Sequence, residues 1–194
     1  MQPFQRRFCA MCLVILVSGW APAVRATFLQ NAGFESGDFQ GWSIFGSGWR
    51  PSTYVGEMDS DAHSGTFGMV NDVDMLNTGE WRGVTQTVPV RPREHYAGGA
   101  WIRAFRVKHS ESYFEVHFLD SAGKVVMWYQ SDHVGFDQTF HFMSVDDMIA
   151  PSNAVAASVR GVVHVTGSPM SETEFHIFDD FVFGTLQEMK DLKR

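Results

Sequence analysis

Cysteine is almost absent from this chain of 194 residues: there are two, Cys9 and Cys12, both within the first 26. Those 26 residues carry Arg6 and Arg7, then an apolar or small run over 8–17, then small residues ending in Val24-Arg25-Ala26. That order is the pattern of a secretory signal peptide. The apolar run falls short of the roughly 20 residues needed to cross a bilayer as a helix. Cleavage is expected after Ala26, with Ala23 the alternative. Met11 is too bulky before Cys12 for the usual lipid-attachment signal. Removing the signal leaves no cysteine, so disulfides are excluded even though the compartment would permit them. Stability then has to come from a packed core, with or without a metal.

Positive charge is also scarce. The formal net charge is −7, and loss of Arg6, Arg7 and Arg25 with no acid takes it to −10. An acidic chain lacks the basic patches that dominate affinity for nucleic acid and anionic lipid. There is no low-complexity stretch, linker or tandem repeat, and no long amphipathic helical period. No serine nucleophile elbow is present. The eight histidines (His63, His95, His109, His117, His133, His141, His164 and His176) are scattered, with no zinc spacing on a helix. Most read as polar sheet positions, where imidazole would make any binding pH-sensitive.

What remains is a series of short alternating runs broken by Gly, Pro, Asn, Asp and Ser, as in a sandwich or barrel. In 97–106, Gly98, Ala100, Ile102 and Ala104 share one face, and Gly99, Trp101, Arg103 and Phe105 the other. In 113–119, Phe114, Val116 and Phe118 oppose Glu115 and His117. The turn Asp120-Ser121-Ala122-Gly123 joins this run to 125–129 as a hairpin. Further strands are predicted over 83–90, 157–165 and 174–183. In the last, Asp179 is expected to share a face with Ile177, Phe181 and Phe183. Residues 31–42 read as a strand leading into a loop, Asp146-Asp147 as turn chemistry before Pro151, and 187–194 as a charged, frayed or short helical tail. One domain over 27–186 is expected.

Separated motifs occur in an informative order: Asn31-Ala32-Gly33-Phe34-Glu35-Ser36-Gly37 with Gly41-Trp42, then Ala62-His63-Ser64-Gly65-Thr66, then Phe178-Asp179-Asp180-Phe181. Between the last two lie Gly83-Val84-Thr85-Gln86-Thr87-Val88 and Ala100-Trp101-Ile102-Arg103. Together they resemble the carbohydrate-binding modules of families four, nine and twenty-two over residues 28 to 185. The resemblance implies an all-β, two-sheet antiparallel β-sandwich, a jelly roll of the galactose-binding-like class. It also implies a structural Ca2+ held by Glu35 and Asp179, with backbone carbonyls around Gly33 and Thr66. A hard cation taking carboxylate and carbonyl oxygens suits that set.

The expected ligand is a polysaccharide or glycan, bound on one sheet face. Trp101, Arg103, Glu115, His117, Arg160, His164 and His176 are expected to gather there, with Trp128 and Tyr129 from the hairpin and Trp81 at the rim. Which of Trp128 and Tyr129 faces outward is open. Trp49 and Tyr54 are further rim candidates, and Trp42 is expected in the core. Pyranose C–H faces pack on aromatic rings, and guanidinium and carboxylate groups pair with hydroxyls. The alternatives are a structural or adhesive sandwich with no sugar site, and an enzyme using Glu115. The enzyme lacks a clear second carboxylate on that face, so a non-catalytic binder is expected, free-standing and without an anchor.

Overall fold

The computed structural model describes residues 29–54, 60–74, 79–167 and 172–191; the signal segment 1–26 lies outside the described residues. Ten strands run in chain order: β1 (Ser43–Phe45), β2 (Trp49–Ser52), β3 (Gly68–Val73), β4 (Trp81–Pro89), β5 (His95–Phe105), β6 (Ser110–Leu119), β7 (Val125–Gln130), β8 (Gln138–Ile149), β9 (Ala156–Val165) and β10 (Glu174–Thr185). One helix, α1 (Leu186–Asp191), follows. Thr185 caps it: the Glu188 amide donates to Thr185 Oγ1 (3.3 Å), and Glu188 Oε2 accepts the Thr185 amide (2.9 Å). Among the described residues no helix is long and apolar enough to cross a membrane.

The strands form two five-stranded antiparallel sheets, which makes the chain a β-sandwich. The first sheet has the order β1-β4-β9-β6-β7 and the second β2-β3-β10-β5-β8. The core lies between them, filled by Val84 and Val88 of β4, Phe114, Val116 and Phe118 of β6, and Val159 and Val163 of β9, against Ala100 and Ile102 of β5 and Phe178 of β10. Period-two alternation then sends the intervening residues of each strand to its sheet's outer face. The hairpin over 120–124 forms as expected. The Asp120 carboxylate accepts the amides of Ala122 and Lys124, both at 2.9 Å, and Gly123 takes φ +77°.

Several sequence expectations change. Residues 31–42 form turns, and the first strand begins at Ser43. Strands β2, β3 and β8 are additional, so Trp49 lies in a strand of the second sheet and packs on the core, and Asp146-Asp147 belongs to β8 and not to a turn. The phase of β10 also differs. Its pairing with β5 shifts register between Asp179 and Val182, and Asp180 sits at φ +45°. A bulge of this kind inserts a residue and reverses the face of everything after it. Phe178, Phe181 and Phe183 therefore all reach the core, while Ile177 and Asp179 face outward. Trp42 is buried in the core as expected, its Nε1 donating to the carbonyls of Gln30 and Asn31 at 3.0 and 3.1 Å.

His176 is not on a surface; it is fully buried between the sheets. Its Nε2 lies 2.7 Å from Ser110 Oγ and its Nδ1 2.8 Å from Ser112 Oγ. Ser110 in turn donates to buried Glu174. Burial pushes the imidazole down to about 3. The unfolded chain therefore binds a proton near pH 6.5 that the folded chain refuses. Stability from neutral His176 is complete above pH 6.5 and is lost as pH falls toward 3, with a slope approaching ~1.4 kcal/mol per pH unit. Thermal unfolding of a His176→Gln variant between pH 7 and 5 should show a shallower decline than wild type; equal slopes would place the proton uptake elsewhere.

Candidate functional site

The outer face of the first sheet carries side chains that the register sets in rows. Trp81 pairs with His164, which pairs with Glu111; Thr85 pairs with Arg160, then Glu115, then Gln130; His117 pairs with Trp128. The Trp81 indole stacks on the His164 imidazole, with centroids 3.8 Å apart and planes within 6°. Tyr113 stacks on His133 at 4.1 Å. Glu111 ties both stacks together, with its carboxylate oxygens 3.1 Å from His133 Nδ1 and 3.2 Å from His164 Nδ1. Partial burial raises the Glu111 carboxyl, but the bonds to His133 and His164 outweigh it and hold the group below its ordinary value. Burial pushes the Tyr113 phenol upward, with the charges of Glu115 and Glu111 adding to it.

The middle of the face is a charged cluster. Arg160 donates to Glu115 Oε2 at 2.7 Å, and His117 Nε2 lies 3.0 Å from the same oxygen. The Arg160 guanidinium also stands 4.6 Å from the Phe45 ring centroid. Phe45 lies directly over Gly83, where a Cβ would meet the ring at 2.3 Å. At opposite corners Trp81 is 51% exposed and Trp128 is 55% exposed. Six residues along the strands and three strand spacings across separate them, a diagonal of about 25 Å. The arrangement offers two aromatic platforms at the ends and paired hydrogen-bonding groups between them.

Of the residues expected to form one site, Glu115, His117, Trp128, Trp81, Arg160 and His164 come together here. Tyr129 does not: it points to the sandwich interior, edge-on to Phe118 at 6.0 Å. Trp101 and Arg103 do not either, because β5 belongs to the second sheet and its outer face is on the far side of the sandwich. Trp101 is moreover covered by His63, stacked on it at 3.8 Å, and by Phe142 at 5.6 Å. Glu111, Tyr113, His133 and Phe45 join this face in addition to the residues expected from sequence. The alternation of β6 extends back through Glu111-Ser112-Tyr113, so Glu111 and Tyr113 were recoverable from sequence; His133 and Phe45 were not.

The residues suggested for a cation gather at one end of β10. Asp179 is fully buried and accepts the amides of His63 (2.8 Å), Ser64 (3.1 Å) and Asp180 (2.7 Å). Burial, then the neighbouring Asp180 carboxylate, push its carboxyl up to about 7 against those amide bonds. Glu35 accepts the amides of Thr66 and Phe67 at 2.9–3.0 Å. Gly33 faces both acids: a Cβ there would lie 3.5 Å from Asp179 Oδ1 and 3.9 Å from Glu35 Cγ. Among the described residues no group of three or more His, Cys, Asp or Glu side chains is placed to hold a metal ion.

No family model and no curated protein matches this chain. Solved structures do. A family 61 carbohydrate-binding module in complex with β-1,4-galactotriose aligns with TM-score 0.58 at 17% identity, over 83% of this chain and 99% of that one. The CBM22-1 xylan-binding domain from Paenibacillus barcinonensis Xyn10C aligns with TM-score 0.56 at 17% identity, over 83% and 96%. The fold is that of the β-sandwich carbohydrate-binding modules. A family 16 carbohydrate-binding module matches similarly, with TM-score 0.52 at 19% identity over 80% and 97%. The chain also spans 21% of the enzymatically active domain of bacteriophage CBA120 tailspike protein 4, with TM-score 0.55 at 17% identity over 80% of this chain. At these identities the shared property is the fold.

Proposed function

We propose that this chain is a secreted, non-catalytic glycan-binding module whose ligand, a polysaccharide chain, lies across the outer face of the first sheet. The observation that carries the reading is the pair of half-exposed indoles, Trp81 and Trp128, flanking the Glu115–Arg160–His117 cluster. Sugar rings pack their C–H faces on such indoles. Their hydroxyls pair with groups that both donate and accept, which a carboxylate held between guanidinium and imidazole supplies. The stack of Trp81 on His164 fixes the indole before ligand arrives, which lowers the ordering cost of binding. The modules of like fold, bound to galactotriose or named for xylan, make neutral β-linked polysaccharides the first ligands to try.

Catalysis is disfavoured by spacing. Glu111 and Glu115 share the face, but four residues on one strand separate their Cα atoms by about 13 Å. Glycosidase carboxyl pairs stand roughly 5–10 Å apart. Each of these carboxylates is also engaged by basic side chains. Incubation with a panel of polysaccharides should therefore give retention on at least one class, with no release of reducing ends from any. Release that disappears in Glu115→Gln would make the chain an enzyme, and absence of retention on every class would favour a structural or adhesive sandwich.

The reading includes a structural calcium. Asp179 and Glu35 would hold it, completed by carbonyl oxygens near Gly33 and Thr66. The residues fit a hard cation: Asp179 is a fully buried carboxylate beside a second one, and glycine at position 33 leaves the space between the acids free of side chain. When bound, the ion would supply positive charge that offsets the burial of Asp179 and ties the 60–66 segment to β10.

A further inference from the structure

A groove of about 480 Å³ opens on the far side of the sandwich, on the outer face of the second sheet. Its walls bring together Arg50, Arg103 and Arg106, an unusual concentration in a chain of net charge −7. Its floor is apolar, with Phe105 and Phe175 stacked at 6.2 Å beside Ile177. The guanidinium carbons of Arg103 and Arg106 stand 5.9 and 5.0 Å from the Phe105 ring centroid. Tyr54, 60% exposed, forms the rim.

The three guanidiniums are engaged differently. Arg50 is held by Asp72 in a two-pronged pair at 2.7 and 3.1 Å. Arg103 donates to the Ser60 carbonyl at 2.8 Å and lies 3.7 Å from Asp61. Arg106 is exposed and forms no ion pair among the described residues, its contact there being the Phe105 ring. It takes φ +61°, a left-handed conformation that a non-glycine residue adopts at some cost. Of the three guanidiniums, Arg106 is thus the exposed one without an ion pair among the described residues.

We infer that this groove binds an acidic saccharide, a uronate ring whose single carboxylate pairs with Arg106 while its C–H face lies on Phe105. The Arg106 guanidinium is exposed, and a guanidinium pairs with a carboxylate in a planar, two-pronged geometry. Apolar ring faces on the floor favour a ring ligand over a small inorganic anion. Asp61, which already accepts from Ser52 Oγ at 2.6 Å, supplies acceptor oxygens for sugar hydroxyls. Densely charged polyanions are disfavoured by the acidic remainder of the chain. The groove lies on the opposite face from Trp81, so this inference stands or falls independently of the first site.

Calorimetric titration of the purified protein with trigalacturonate, neutral β-1,4-galactotriose and inorganic phosphate is the test. It is repeated on Arg106→Asn, which tolerates the left-handed conformation, on Phe105→Ala and on Trp81→Ala. The expected result is binding of trigalacturonate that weakens with added salt, falls at least about tenfold in Arg106→Asn and Phe105→Ala, and is unchanged in Trp81→Ala. Phosphate binding as tight as trigalacturonate would overturn the ring assignment. No binding of trigalacturonate, affinity unaltered in Arg106→Asn, or loss in Trp81→Ala would overturn the site.

Discussion

Replacing Trp81 with alanine is expected to weaken glycan binding at least tenfold and to leave thermal stability nearly unchanged. The indole is 51% exposed and rests on His164, so the fold does not depend on it. Surface substitutions away from packed features shift stability by about 0.5 kcal/mol or less. Covering the exposed face of an aromatic ring with ligand contributes of the order of 1.5–3 kcal/mol. Each ~1.4 kcal/mol is a factor of ten in affinity. Trp128→Ala should behave alike, since its indole is equally open at the opposite corner. Trp101→Ala should leave binding on this face intact, because Trp101 lies on the second sheet beneath His63. Pull-down on the best-retained polysaccharide, with melting curves alongside, separates lost contact from lost fold. Unchanged affinity in Trp81→Ala would remove the aromatic platform from the account.

Chelation of calcium is expected to lower the melting temperature by about 5–10 °C. A ligand present at a hundred times its Kd stabilises the folded state by about 2.7 kcal/mol. For a domain of this size, each kcal/mol moves the midpoint by about 2–4 °C. The physical reason is Asp179, a fully buried carboxylate that burial and Asp180 push up to about 7. A bound cation reverses that preference and favours the charged form. Asp179→Asn should abolish the calcium response, and its apo form should melt below apo wild type, because the side-chain NH2 cannot accept the amides that both Asp179 oxygens accept. Identical melting in calcium and in EGTA would show that the amides of His63, Ser64 and Asp180 satisfy the acid without a metal.

Much of the fold was legible because strands advertise themselves by alternation. The β5 and β6 patterns place Ala100, Ile102, Phe114, Val116 and Phe118 in the core, and all are there. Alternation says which residues share a face of one strand, but not which sheet the strand joins. That is why Trp101 and Arg103 were grouped with Glu115 and His117 although they lie on opposite sides of the sandwich. The phase of β10 failed for a local reason: a single residue at φ +45° reverses the pattern, and Asp-Asp gives no warning of it. His176 looked like a surface residue because its buried partners, Ser110 and Ser112, come from a different strand. Glu111 lies two residues before the clear alternation that starts at Tyr113, and Ser110 and Ser112 on its core-facing side hide the period.

Ligand bound on the outer face of the first sheet would be seen directly by indole NMR. The five tryptophans after residue 26 are Trp42, Trp49, Trp81, Trp101 and Trp128. Each indole N–H gives a resolvable signal in 15N-labelled protein titrated with xylohexaose, galactotriose and fragments of the best-retained polysaccharide. Trp81 and Trp128 are expected to shift with saturation while Trp42, Trp49 and Trp101 stay in place. Shifts confined to Trp101, or no indole moving with any fragment, would contradict binding on this face.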